Sequence, residues 1–187
     1  VMTPTPSIGG IGLIKHYKKM ITMDFKKTDN LVLVIGKTEG HMDQSLFARI
    51  ILDEKNGPPP EVNLFNEKNI GESLLSLIEK EYIKSAHDVS LGGIITAISK
   101  MCIKGDKGIK LKKSKSLISE LEYFFSEDQG RYIVEIDKKH LKEVSKILEK
   151  NSVHHEELGV IVDKDMIIND KTKVTIDELK SYNTNWL

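Results

Sequence analysis

The chain is 187 residues long, and its 28 lysines and arginines balance 28 aspartates and glutamates, so 30% of it is charged and the sum is zero. That balance excludes a broadly basic nucleic-acid binder, whose affinity would rest on excess positive charge. At 39% hydrophobic and 6% aromatic residues the composition is that of a soluble globular domain, with a length suited to one domain or a tight pair. The single cysteine, Cys102, has no partner for an internal disulfide, which fits a reducing, cytoplasmic setting. No apolar run approaches the roughly 20 residues of a membrane helix, so no membrane partner is expected. The opening Val1-Met2-Thr3-Pro4-Thr5-Pro6 lacks the cationic and apolar regions of a signal peptide and reads as a cut inside a longer chain.

Residues 7–14 set Gly9, Gly10 and Gly12 among aliphatics, and the branched neighbours predict an extended strand rather than a helix. Leu31-Val32-Leu33-Val34-Ile35, closed by Gly36, has the continuous apolar character of a strand buried on both faces. Residues 45–52 read as a helical turn or two, ended by the stiff Gly57-Pro58-Pro59-Pro60 loop. Between 66 and 83 the apolar Ile70, Leu74, Leu77 and Ile78 recur at helical spacing. A short polar loop over 85–93 then delivers its residues to a helix over 94–104, where Leu91, Ile95, Ile98 and Cys102 share a face. Leu117, Leu121 and Phe124 mark a third helix, and Leu141, Val144 and Leu148 a fourth, with a strand over 132–136 between them. Residues 158–162, 166–168 and 173–176 read as short strands joined by Asp- and Asn-containing turns. Helices and strands alternate without a strict βαβ repeat, so the fold class is α+β, a layered sandwich with a mixed sheet.

Four motifs have plain structural readings. Gly36-Lys37-Thr38 resembles the end of a P-loop, but that motif needs a glycine at position 31, where Leu31 stands. His154-His155-Glu156-Glu157 offers metal-ligand types, yet adjacent residues point in different directions, and a solvated patch is the simpler reading. The lysines at 104, 107, 110, 112, 113 and 115 lack interleaved aromatics and suit a charged edge strand or loop. Cys102 reads as a small core residue.

Asp88-Val89-Ser90-Leu91-Gly92-Gly93 is more informative. A hydroxyl, a carboxylate and two glycines ahead of a helix supply free backbone amides, the positive end of the helix dipole and room for close approach, which suits a phosphate. The same residues also suit an N-cap, with Asp88 or Ser90 satisfying the first amides and the glycines making the turn.

Several segments together resemble one family. Residues 3–13, Gly36-Lys37-Thr38 with Gln44-Ser45-Leu46-Phe47, Gly57-Pro58-Pro59-Pro60, Ser85-Ala86-His87-Asp88-Val89-Ser90-Leu91-Gly92-Gly93 and Glu127-Asp128-Gln129-Gly130-Arg131 follow the order at the C-terminal end of phosphoribosylformylglycinamidine synthase, synthetase subunit. The resemblance spans nearly the whole chain. It implies a ligase of purine biosynthesis, in which ATP phosphorylates an amide oxygen of formylglycinamide ribonucleotide and glutamine-derived ammonia displaces the phosphate. It further implies that residues 1–187 form one C-terminal α+β domain, like that of aminoimidazole ribonucleotide synthase, cut from a longer multidomain enzyme. ATP and Mg belong to the full-length enzyme, none being expected on this fragment, and no catalytic or metal-binding residue is carried over. Asp88, Ser90, Gly92 and Gly93 match a loop facing a phosphate of substrate or of an auxiliary nucleotide; Gly9, Gly10 and Gly12 match a glycine-rich strand. The implied partners are the remaining synthetase domains, a glutaminase subunit or domain, and a second copy through an exposed apolar patch around 8–14. The alternative is a non-catalytic scaffold with a vestigial nucleotide-phosphate site. One departure stands out: Asp43 occupies a position where relatives carry glycine, and a carboxylate there repels an anion near Ser45.

Overall fold

In the computed structural model, which describes residues 8–14, 16–112 and 117–184, the apolar run Leu31–Ile35 forms β1, an inner strand of the core. All five of its residues are buried. Side chains alternate across a strand, so Val32 and Val34 enter one hydrophobic cluster and Leu31, Leu33 and Ile35 another. A continuous apolar strand is stable only when both faces are covered, and helices cover both.

In chain order the elements are β1, α1 (Leu46–Ile50), α2 (Leu64–Glu79), β2 (Ile83–Asp88), α3 (Gly93–Gly105), β3 (Gly108–Leu111) and α4 (Glu120–Phe125). They continue as β4 (Tyr132–Ile136), α5 (Leu141–Lys150), β5 (His155–Val162), β6 (Met166–Ile168), β7 (Thr172–Val174) and α6 (Ile176–Thr184). One sheet runs β2-β4-β1-β5-β3-β6-β7, antiparallel except for the β3–β6 pair, and is therefore mixed. The apolar stripe of α2 (Ile70, Leu74, Leu77) packs with Val144 and Leu148 of α5 on one face. On the other, Ile94, Ala97, Ile98, Met101 and Cys102 of α3 meet Tyr123 and Phe124 of α4 and Ile176 of α6. This is the α+β layered sandwich expected from the sequence. Cys102 is a core residue, and burial pushes its thiol up to about 12.

Several boundaries differ from the sequence expectations. Residues 8–14 lie outside the sheet, with Ile8, Leu13 and Ile11 almost fully exposed, because a strand needs a neighbour to take its backbone bonds and no ladder includes them. The helix expected to reach 83 ends at Glu79, and Ile83 opens β2, so the first part of the expected 85–93 loop, up to Asp88, is strand. The lysine-bearing β3 is no edge: β5 pairs on one side and β6 on the other, with Ile109 and Leu111 buried and Lys110 outward. Leu117 is exposed and precedes α4, which starts at Glu120 behind its N-cap Ser119, with Glu122 of the first turn closing a capping box. The strand expected over 173–176 stops at Val174, and α6 follows. There the Thr175 hydroxyl accepts from the Glu178 amide while the Glu178 carboxylate accepts from the Thr175 amide. Among the described residues no helix is long and apolar enough to cross a membrane.

Candidate functional site

β2 sits on the sheet edge beside β4, and its pairing carries on past Asp88 through a bond from the Val89 amide to the Arg131 carbonyl. The chain then turns through exposed Ser90 and Leu91 to two glycines of positive φ, Gly92 (+81°) and Gly93 (+70°). A Cβ on Gly93 would lie 2.6 Å from the carbonyl oxygens of Phe124 and Ser126, so only glycine brings the start of α3 this close to the end of α4. Asp88, Ser90, Gly92 and Gly93 thus form one corner, but neither polar side chain caps α3, whose N-cap, Gly92, has no side-chain cap. The Ser90 hydroxyl donates instead to Asp88 Oδ2 at 2.7 Å, and His87 Nδ1 lies 3.2 Å from Asp88 Oδ1. The Ser90 bond holds the Asp88 carboxyl below the usual aspartate range; partial burial opposes it and the His87 charge assists.

The amides of both glycines are already engaged. Gly93 N–H donates to the Ser90 carbonyl at 3.0 Å, and Gly92 N–H donates to Glu127 Oε1 at 2.8 Å. The same Glu127 oxygen accepts from the Leu46 amide at 2.8 Å, the first amide of α1. Glu127 is therefore an internal anion shared by two helix starts, a role the sequence reading did not assign.

Glu127 also begins a second feature, the turn from Glu127 to Arg131. Asp128 is buried and accepts from the amides of Glu39 (3.2 Å), Gly40 (3.2 Å) and His41 (3.0 Å) and from the Ser126 hydroxyl (2.9 Å). The Arg131 guanidinium, 1% exposed, lies 3.5 Å from Asp128 Oδ2 and donates to the Ser126 carbonyl (2.7 Å), the Asp128 carbonyl and the Thr38 hydroxyl. Burial pulls the Arg131 pKa down while Asp128 and Glu127 push it back up. Gly36 (φ +102°) completes the junction, since a Cβ there would lie 2.2 Å from the Gly130 carbonyl oxygen.

The loop after Gly36 and the turn at Gly130 form part of the wall of a cleft of about 480 Å³, closed on its far side by the start of α2. Glu39, Glu61 and Glu67 line it together with Asn63, Asn66 and Lys37, whose ammonium is paired with Glu39 at 2.5 Å. Such a lining offers hydrogen bonds to neutral polar groups and repels a polyphosphate. None of Asp88, Ser90, Gly92 or Gly93 lines this cleft; Asp88 borders a separate, more apolar groove with His87 and Tyr132. Asp43, which stands where relatives carry glycine, does not have a positive φ. That conformation falls to Gln44 (φ +61°), whose amide nitrogen donates to the carbonyls of Lys55 and Gly57. Among the described residues no group of three or more His, Cys, Asp or Glu is placed to hold a metal. His155 Nε2 instead lies 2.9 Å from the Ser145 hydroxyl, and Glu157 pairs with Lys112.

Residues 27–170 match the family described as AIR synthase related protein, C-terminal domain. Among curated proteins the chain is 68% identical over 184 residues to phosphoribosylformylglycinamidine synthase subunit PurL of Pelagibacter ubique, covering 98% of this chain and 25% of the relative. It is 36% identical over 150 residues to the PurL of Caldanaerobacter subterraneus, covering 80% and 20%. The chain thus spans about a quarter of the length of these relatives. Among solved structures it is similar to T. maritima PurL complexed with FGAR (TM-score 0.71, 18% identity, 87% of this chain and 29% of that one). E. coli HypE is also similar (TM-score 0.60, 13% identity, 83% and 51%). At these identities the solved structures establish the fold.

Proposed function

The chain belongs to the AIR synthase related protein C-terminal domain family, and on that premise we propose that it is the C-terminal domain of the second repeat of phosphoribosylformylglycinamidine synthase, synthetase subunit. The observation that carries this reading is the 68% identity to a PurL subunit, sustained over 184 residues. The full enzyme, acting in the cytoplasm, uses ATP to phosphorylate the oxygen on the glycinamide carbonyl carbon of formylglycinamide ribonucleotide. Ammonia released from glutamine by a glutaminase subunit or domain then attacks that carbon and phosphate leaves, giving the amidine. Mg bound with ATP supplies charge neutralisation during phosphoryl transfer.

The residues of this domain do not fit ATP with Mg. Its cleft carries carboxylates and one lysine that is already paired, and the amides of Gly92 and Gly93 are engaged within the chain. No step of the reaction is therefore assigned to it. Its role is to complete the fold of the synthetase and to pack against the remaining domains. Asp88, Ser90, Gly92 and Gly93 form a vestigial phosphate corner in which Glu127 takes the place of the external anion. That contact favours a non-catalytic scaffold role for this domain within the ligase.

The test compares the 187-residue chain with the full synthetase, supplied with formylglycinamide ribonucleotide, ATP, Mg and ammonium. The full protein forms amidine and the isolated chain forms none; ATP-dependent amidine from the isolated chain would overturn the assignment. In the full enzyme, Ser90→Ala combined with Asp88→Asn leaves nucleotide affinity unchanged by calorimetry. A marked loss of affinity would restore the corner as a working phosphate site.

A further inference from the structure

We propose that the consecutive carboxylates Glu127 and Asp128 act as a clasp that makes the cleft wall at 39–41 and the corner at 88–93 open and close as one unit. The two residues gather amides from two regions far apart in sequence, 39–46 and Gly92. Asp128 holds Glu39, Gly40 and His41, whereas Glu127 holds Leu46 and Gly92. The grip is closed on itself, because the Glu127 amide donates to the His41 carbonyl at 3.0 Å, joining the Glu127 backbone to the segment that Asp128 binds. Behind the clasp, the buried Arg131 fixes Asp128 and Ser126 and reaches Thr38, so the turn is anchored to β4 and cannot yield by itself. Gly93 lies against the carbonyls of Phe124 and Ser126, which ties the corner to the same turn from the other side.

The consequence is mechanical. The wall at 39–41 has no regular secondary structure, and Glu39, Gly40 and His41 line the cleft. A shift of that wall that moves Asp128 must also move Glu127, one peptide away, and with it the shared oxygen on which α1 and α3 begin. Amides held by a charged acceptor lose that protection when it moves, and their exchange with solvent rises. The coupling is a property of this chain alone and requires neither ligand nor turnover, so its test stands apart from the ligase assignment.

Amide hydrogen exchange on the 187-residue chain tests it from both sides. Glu127→Gln removes the charge at the corner, and the readout is the exchange of the 39–41 amides, whose acceptor is Asp128. Gly40→Ala perturbs the wall, because Gly40 has φ +87° and an added Cβ would lie 3.2 Å from side-chain atoms of Ile118 and Glu122; the readout is Leu46 and Gly92. Each variant is expected to accelerate the distant set by about tenfold while the amides of β1 and β4 keep their wild-type rates. Acceleration confined to the segment altered would overturn the proposal. So would acceleration shared equally by β1 and β4, which is loss of global stability. Should Gly40→Ala not fold, the Glu127→Gln readout at 39–41 decides alone.

Discussion

Glu135, next to the last residue of β4, has no solvent exposure, and four hydrogen-bond donors hold its carboxylate. The amides of Lys26 (2.8 Å) and Lys27 (3.1 Å), the Asn30 side-chain amide (2.7 Å) and the Ser85 hydroxyl (2.9 Å) converge on its two oxygens. One residue thereby fixes the segment leading into β1 and the edge strand β2. Glu135→Ala would leave four donors facing a cavity, and at about 1–3 kcal/mol per orphaned group the expected loss is at least about 3 kcal/mol in urea unfolding. A loss below about 1 kcal/mol, the ordinary cost of a point substitution, would show that water or rearrangement replaces the carboxylate. A different carboxylate governs the pH response of the corner. The folded pKa of Asp88 is depressed chiefly by the Ser90 hydroxyl, so the stabilisation is fully present above the ordinary value of 3.8 and fades as pH falls through the folded value. Ser90→Ala should therefore move the Asp88 titration, followed by carboxyl NMR, upward toward 3.8, and the stability gap between variant and wild type should close at acid pH. An unchanged titration would assign the shift to His87 instead.

Elements were legible in the sequence where burial on a face imposes a period. β1 and the apolar stripes of α2 and α5 lie where the spacing of their residues puts them. On α3 the stripe expected at Leu91, Ile95, Ile98 and Cys102 is displaced: Leu91 is exposed ahead of the helix, and Ile94, Ala97, Ile98, Met101 and Cys102 form the buried face. β2 was hidden because its inward residue Ser85 is polar, buried only through its bond to Glu135, a partner 50 residues away. The reading of the lysine run as an edge failed for a related reason: Lys110 alternates with buried Ile109 and Leu111, and composition does not reveal whether a strand has one neighbour or two. The candidate site was legible as a glycine corner, since positive φ at Gly92 and Gly93 follows from local chain geometry. Glu127 was not, because its two amide partners lie 35 and 81 residues away. α6 is a different case, for the Thr175-x-x-Glu178 box is a local signal that the strand reading of 173–176 overrode. Only Ile176 of this helix is fully buried, so its stability leans on that cap. Thr175→Ala should cost about 1 kcal/mol and fray the helix locally. Exchange at the Leu179 amide, which donates to the Thr175 carbonyl, should rise while that of β1 stays fixed. A rise of equal size in both would instead mean that α6 unfolds only with the whole domain.

At the scale of the whole molecule, the balanced charge and the distribution of apolar surface act in opposite directions. With 28 positive and 28 negative side chains, no net repulsion keeps copies apart at neutral pH. Meanwhile Ile8, Ile11 and Leu13 are exposed to 94% or more, with Ile14, Tyr17 and Met20 also open to solvent. The downstream end of this stretch is held firmly. Lys19 donates to the Glu79 carbonyl at the end of α2, the Ala86 amide donates to the Thr22 carbonyl, and Glu135 grips Lys26 and Lys27. The apolar residues are therefore presented from a fixed base. Each aliphatic side chain that becomes fully covered contributes about 1.5–3 kcal/mol, so three or four suffice to drive association. The 187-residue chain should accordingly form concentration-dependent oligomers by light scattering, and the pair Ile11→Ser and Leu13→Ser should return it to the monomer without altering its urea midpoint, since neither side chain belongs to the core. A wild-type chain that stays monomeric at millimolar concentration would show that this stretch is tolerated in water. The cover that the rest of the synthetase is proposed to provide would then have to be sought on another face.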